Sequence, residues 1–192
     1  KAVVRDHAGA VVLAMLLTWL LTAAVVVTLL MMPTLLQGLG VSRADALAGN
    51  TLAICATVIA NLVAGWMADR FGAGRVLVLW SVLLGIAFWT FYAGALAGGY
   101  SPALYVIAGF GVGVTALVPA IAVSGFPAQV RFSGLSFSYN VAYAIAGGLT
   151  PIALSLAMKD SPAAPMHYIA GMALLGVALG LHVMMRRPRV GE

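Results

Sequence analysis

Charge is what this sequence has least of. Ten Lys and Arg and five Asp and Glu make 8% of its 192 residues charged, where soluble globular chains average about a quarter. With 63% hydrophobic residues and a mean hydropathy of +1.07, the chain has too little polar surface to face water, which excludes an ordinary soluble domain and a disordered one. A single cysteine, Cys55, excludes an intrachain disulfide and a multi-cysteine metal site, and reads as a small core residue. No cofactor or metal is expected. Linkers, low-complexity segments and a usable internal repeat are also missing, so one domain spanning residues 1–192 is expected.

What fills the chain is six apolar runs, at residues 8–32, 44–68, 76–97, 103–124, 133–157 and 166–185. A bilayer core about 30 Å thick needs about 20 apolar residues per helix, and each run meets that length. Their length and lack of alternating polarity argue against barrel strands of about ten residues. In lipid, backbone groups must bond within their own segment. The fold class is therefore an all-α membrane protein of six transmembrane helices, with membrane lipid as its first partner.

The sequence pI near 9.8 does not imply nucleic acid, because the basic residues are scattered over helix ends instead of clustering on one face. They sort by side. With both termini on one side of the membrane, that side receives Lys1, Arg5, Arg70, Arg75, Arg131, Arg186, Arg187 and Arg189, and the other only Arg43 and Lys159. The positive-inside rule then puts both termini in the cytoplasm. No cleavable signal peptide is expected in front of the first run, and a start at Lys1 is compatible with a processed product or a fragment. Turn residues agree with the spans: Pro33 is expected to close the first helix, Gly98–Pro102 to turn the third into the fourth, Gly125–Pro127 to end the fourth, and Asp160–Pro162 to separate the last two.

Between the second and third runs lies Gly65-Trp-Met-Ala-Asp69-Arg70-Phe-Gly72, followed by Arg75 and Leu77. It resembles the G-x-L-A-D-R-x-G-R-K-x-x-L signature of the major facilitator superfamily, which occupies the cytoplasmic loop between helices 2 and 3 and recurs between helices 8 and 9. Ala73-Gly74 stand where the signature has its basic pair, with Arg75 one position later. A second stretch, Phe126-Pro127-Ala-Gln-Val-Arg131-Phe-Ser133-Gly134 continuing through Tyr139-Asn140 to Gly147-Gly148-Leu-Thr-Pro151, looks like the helix 10–11 region of the metabolite:proton symporter branch, whose members carry betaine and proline, 2-oxoglutarate, citrate or shikimate. Val123-Ser124-Gly125 replace the acidic residue usual before its Phe-Pro.

The resemblance implies the C-terminal six-helix half of a twelve-helix carrier in a bacterial-type inner membrane, working on a small organic solute by alternating access, with proton symport in the complete protein. The close of the chain at Arg186-Arg187-Pro188-Arg189 fits a natural C-terminus. Partners follow: an N-terminal six-helix half, or a second copy of this chain as a parallel homodimer. The resemblance also makes Gly65, Asp69, Arg70, Gly72, Arg75 and Arg131 a conformational latch. A carboxylate at one helix end can accept from the positive end of a neighbouring helix, and its adjacent Arg can bind a facing acid or carbonyl; the start of the fifth helix near Ser133 is the expected docking end. The alternative is that these are solvated topology residues at a helix end.

No Asp, Glu, Lys or Arg falls near the middle of any run. An ionisable group there costs about 3 kcal/mol on insertion scales and marks ion pathways, so this chain offers no proton-coupling carboxylate; the family expects those acids mainly in the other half. His167 and His182 fall near span ends and read as interfacial. Polar residues share faces instead. Ser136, Tyr139, Asn140, Tyr143, Gly147 and Thr150 recur at spacings of three and four along the fifth helix; Asn50, Thr57 and Asn61 do so on the second, and Thr18, Trp19 and Thr22 lie mid-span on the first. Candidate solute contacts are Thr18, Trp19, Thr22, Asn61, Ser136, Tyr139, Asn140 and Tyr143, with Trp19 or a Tyr offering a cation–π face to a quaternary ammonium. Interhelical hydrogen bonding is the competing use of such residues.

Glycine pairs Gly94/Gly98, Gly109/Gly113 and Gly176/Gly180 are expected at close helix crossings, and Phe91, Tyr92, Tyr100 and Tyr105 as anchors at the outer interface. Two other classes remain: a non-transporting membrane subunit or regulator, and an intramembrane serine protease built on Ser124 and His182. The second lacks the first Gly of a G-x-S-G motif, since Ala122 stands there. The chain is otherwise not expected to be an enzyme.

Overall fold

The computed structural model describes residues 7–185; Lys1, Arg5, Arg186, Arg187 and Arg189, counted above in the charge asymmetry, lie outside them. The described residues form six long apolar helices and no strand. They are α1 (Ala8–Gly38), α2 (Arg43–Phe71), α3 (Ala73–Leu96), α4 (Pro102–Ser124), α5 (Arg131–Asp160) and α6 (Ala164–Met185), each long and apolar enough to cross a membrane.

Helix starts follow local chemistry. Ser42 caps α2, its hydroxyl oxygen accepting from the Asp45 backbone N–H at 3.1 Å while donating to the Asp45 carboxylate at 2.7 Å; these contacts satisfy one of the free N–H groups of the first turn. Ser101 caps α4 ahead of Pro102, whose missing N–H is no loss at a helix start. Between α2 and α3 there is a single non-helical residue. Gly72 turns the chain at φ +90°, a conformation that costs a side-chain-bearing residue dearly.

The end of the first helix differs from the sequence expectation. Pro33 does not end the first helix: α1 continues to Gly38, because a π-helical segment over Val26–Met31 widens the backbone just ahead of the proline ring. A second π-helical segment, Tyr143–Gly147, interrupts α5 ahead of Pro151.

The helices pair α3 with α6, α2 with α4, α3 with α4 and α1 with α5. α1 is the most enclosed; α2, α5 and α6 are the most open. In lipid, association relies on close packing and hydrogen bonds, and small residues supply the packing. A Cβ on Gly109 would lie 2.5 Å from the Ala53 carbonyl oxygen, and one on Gly180 2.9 Å from that of Gly74. The pairs Gly109/Gly113 and Gly176/Gly180 thus sit at crossings. Gly94 and Gly98 do not: Gly98 takes φ +78° at the end of α3, and the Gly99 N–H closes the turn on the Gly94 carbonyl.

Three of the four aromatic residues expected as outer anchors are core instead, and Tyr100 alone stays half-buried in the turn between α3 and α4. Phe91, Tyr92 and Tyr105 are buried, with Phe91 stacked on Tyr105 at 4.6 Å between ring centres and Phe88 on Tyr92 at 5.7 Å. Stacked rings fill the wedge between α3 and α4 better than aliphatic groups could. Cys55, expected in the core, faces outward from α2.

Candidate functional site

The signature residues gather at one end of α2. Asp69 and Arg70 belong to the last turn of the helix, and Gly72 alone makes the turn. Gly65, one turn earlier, has nothing within 4 Å of where a Cβ would stand. The Arg70 guanidinium lies 5.7 Å from the centre of the Trp66 ring, which meets Phe71 edge-on. This cation–π contact holds Arg70 against its own helix. Asp69 is exposed and takes no hydrogen bond or ion pair from the described residues; the bond expected to the start of α5 near Ser133 is not made in this arrangement. Arg75 is exposed at the start of α3, and Arg131 donates from Nε to the Phe126 carbonyl at 3.3 Å, tying the α4–α5 connection to α5.

The polar stripe on α2 is turned toward α4. Thr57 donates to the Gly109 carbonyl at 2.7 Å, and Thr115 donates to the Asn61 side-chain oxygen at 3.0 Å. The Tyr105 hydroxyl lies 2.6 Å from the Asn50 side-chain oxygen and 2.9 Å from the Thr28 carbonyl of α1. It has one proton, so both contacts bond together when Asn50 presents its amide nitrogen, an orientation that heavy atoms alone do not distinguish. In the turn between α3 and α4, Tyr100 donates to the Asp45 carbonyl at 3.2 Å; burial, and then the Asp45 carboxylate, raise its phenol above the ordinary value.

Thr18 and Thr22 are buried in α1 and donate to carbonyls one turn back, Ala14 at 2.7 Å and Thr18 at 2.8 Å. Trp19, 39% exposed, donates from its indole N–H to the Tyr168 hydroxyl of α6 at 2.9 Å, and that hydroxyl sits 2.9 Å from Thr150 of α5. Three helices are thereby joined. Tyr168 was missed by the sequence reading; only its distance from Trp19 and Thr150 reveals a role.

Along α5 the stripe divides. Ser136 and Tyr139 are half-buried, whereas Asn140 and Tyr143 are exposed. Asn140 donates to the Ser136 carbonyl at 2.8 Å, and the Tyr139 and Tyr143 rings lie 5.8 Å apart. The Tyr139 hydroxyl is buried without a partner. Hydroxyl, amide and aromatic groups therefore meet on the open side of α5, a set able to contact a small polar solute and without a carboxylate or a nucleophile–base pair. Ser124 gives its proton to the Ile121 carbonyl at 2.8 Å.

With this geometry in hand, comparison with known proteins places the chain near a membrane carrier. It is 34% identical over 146 residues to the inner membrane metabolite transport protein YhjE of Escherichia coli (strain K12). This chain is similar to a transport protein. The match covers 71% of this chain and 32% of that protein, so the chain spans about a third of the length of the curated relative it matches. No family model matches the chain. No solved structure matches it.

Proposed function

We propose that this chain is the C-terminal six-helix half of a major facilitator superfamily carrier, moving a small organic solute across a bacterial-type inner membrane by alternating access, with proton symport in the complete protein. The observation that carries the reading is the similarity to an inner membrane metabolite transport protein in a chain that holds Gly65, Asp69, Arg70 and Gly72 at the signature spacing.

Several features support it. The faces of α2 and α5 left open by the bundle, and the empty space beside Gly65, suit a second six-helix half related by an axis along the membrane normal. The unbonded Asp69 carboxylate then finds its partner on that half and favours one access state, with Arg70 and Arg75 beside it. Both termini are cytoplasmic by the excess of basic residues on that side. Asn140 and Tyr143 face the central cavity as solute contacts, with Ser136 and Tyr139 behind them. Trp19 and Asn61 contribute at the rim, and Thr18 and Thr22 shape the α1 wall.

The experiment is uptake into proteoliposomes holding the complete carrier under an imposed pH gradient, scanned over zwitterionic osmolytes and di- and tricarboxylates. Accumulation of one of these, abolished by a protonophore, is expected. Absence of flux for every solute, in vesicles where the protein is folded and correctly inserted, would overturn the reading in favour of a non-transporting subunit.

A further inference from the structure

The π-helical segment of α1 has an uneven set of hydrogen bonds. In π spacing a carbonyl looks to the N–H five residues on; for Thr28 that residue is Pro33, which has none. The missing donor comes from another helix, the Tyr105 hydroxyl of α4 at 2.9 Å, itself braced by Asn50 of α2. The Thr28 hydroxyl, however, is buried without a partner. Thr18 and Thr22, by contrast, donate to the carbonyls of Ala14 and Thr18, each four residues back. Thr51 and Thr90 follow the same habit on exposed faces. A threonine reaches that carbonyl readily in an α-helix, and the wider π segment takes it away.

We infer that Val26–Met31 is a two-register element, poised between π and α spacing, with Tyr105 and Pro33 holding it in the π register and Thr28 favouring the α register. In α spacing the Thr28 carbonyl receives the Met32 N–H and the Thr28 hydroxyl receives the Ala24 carbonyl as acceptor. The Leu29 carbonyl is then the group left facing Pro33. Each register satisfies groups that the other leaves unpaired, the condition for two discrete arrangements with a small gap between them. Conversion rotates Met32–Gly38 by about 100° and slides it by about 1.5 Å relative to the lower part of α1. The outer end of α1, which packs on α2, is thereby coupled to the segment carrying Thr18, Trp19 and Thr22. The inference concerns the helix alone and does not depend on the transport reading.

Spin labels at Thr34→Cys and Ala97→Cys, both exposed outer-end positions, in a Cys55→Ser background reconstituted in lipid, read the register by pulsed dipolar spectroscopy. One dominant distance is expected for the parent. Tyr105→Phe keeps the ring stacked on Phe91 while removing the donor, and Pro33→Ala restores the missing N–H. Each is expected to add a second distance population, and Thr28→Val in the Tyr105→Phe background to abolish it. Distributions superimposable on the parent for both Tyr105→Phe and Pro33→Ala would overturn the inference, as would a second population insensitive to Thr28→Val. Thr28→Val alone should keep the parent distance and raise the thermal midpoint; a lowered midpoint would show that the hydroxyl has a partner and would also overturn it.

Discussion

The Thr57 hydroxyl of α2 bonds the Gly109 carbonyl of α4 at 2.7 Å, at the point where the two helices approach so closely that Gly109 has no room for a side chain. The bond and the crossing are one feature. Ala53 presses its backbone against Gly109, and this brings the Thr57 side chain, one turn further along α2, within reach of the carbonyl.

Gly109→Val should therefore destabilise the bundle more than Thr57→Val. The first forces a side chain into the Ala53 backbone, an overpacking that costs about 1–3 kcal/mol. The second removes an interhelical hydrogen bond worth about 0.6 kcal/mol on average in membranes. Equilibrium unfolding in mixed micelles ranks the two. An equal or reversed order would mean that the bond, and not the packing, holds α2 to α4.

Several features were legible in the sequence because each follows from one element at a time: six spans from run length, the α2 stripe from its spacing, and the crossings at Gly109 and Gly180 from small residues four apart. Less legible was anything that depends on which neighbour a face meets. Phe91, Tyr92 and Tyr105 fit an interfacial belt as well as a core by composition; only the α3–α4 packing buries them. Pro33 looks like a terminator until the π segment before it is seen to accommodate its ring. Tyr168 carries no signal along its own helix, since its partners Trp19 and Thr150 lie 149 and 18 residues away.

Asp69→Asn in the complete carrier should lower transport about tenfold, within the 1–3 kcal/mol usual for coupling between states. Membrane insertion and expression should be unchanged, because Asp69 is exposed at a helix end and bonds no described residue. Transport assays at matched protein levels decide it. Parent-like rates would make Asp69 a solvated topology residue.

The open side of α5 can be mapped chemically. In a Cys55→Ser background, needed because Cys55 is exposed, Asn140→Cys and Tyr143→Cys in the complete carrier should react with a water-soluble thiol reagent and be protected by the transported solute. Leu149→Cys, exposed on the next turns of the same helix, serves as the contrast for a lipid-facing position. Failure of both 140 and 143 to react in every access state would remove them from the cavity.

The last prediction concerns this chain on its own. Its six spans let two copies insert in the same orientation, and the open faces of α2 and α5 give them a surface to bury. A parallel homodimer could thus imitate the arrangement of two halves around a central axis. Among the described residues it would still lack a carboxylate near mid-membrane, since Asp45 and Asp69 both lie at the ends of α2 and Asp160 at the end of α5. A carboxylate is the group that most often relays a proton through the low-dielectric core. The isolated chain is therefore expected to self-associate in lipid and yet to give no solute accumulation under a pH gradient. Sedimentation and single-molecule photobleaching test the first part, where a stable monomer in both detergent and bilayer would count against it; vesicle uptake tests the second, where gradient-driven accumulation by this chain alone would show that coupling resides in residues other than mid-membrane carboxylates.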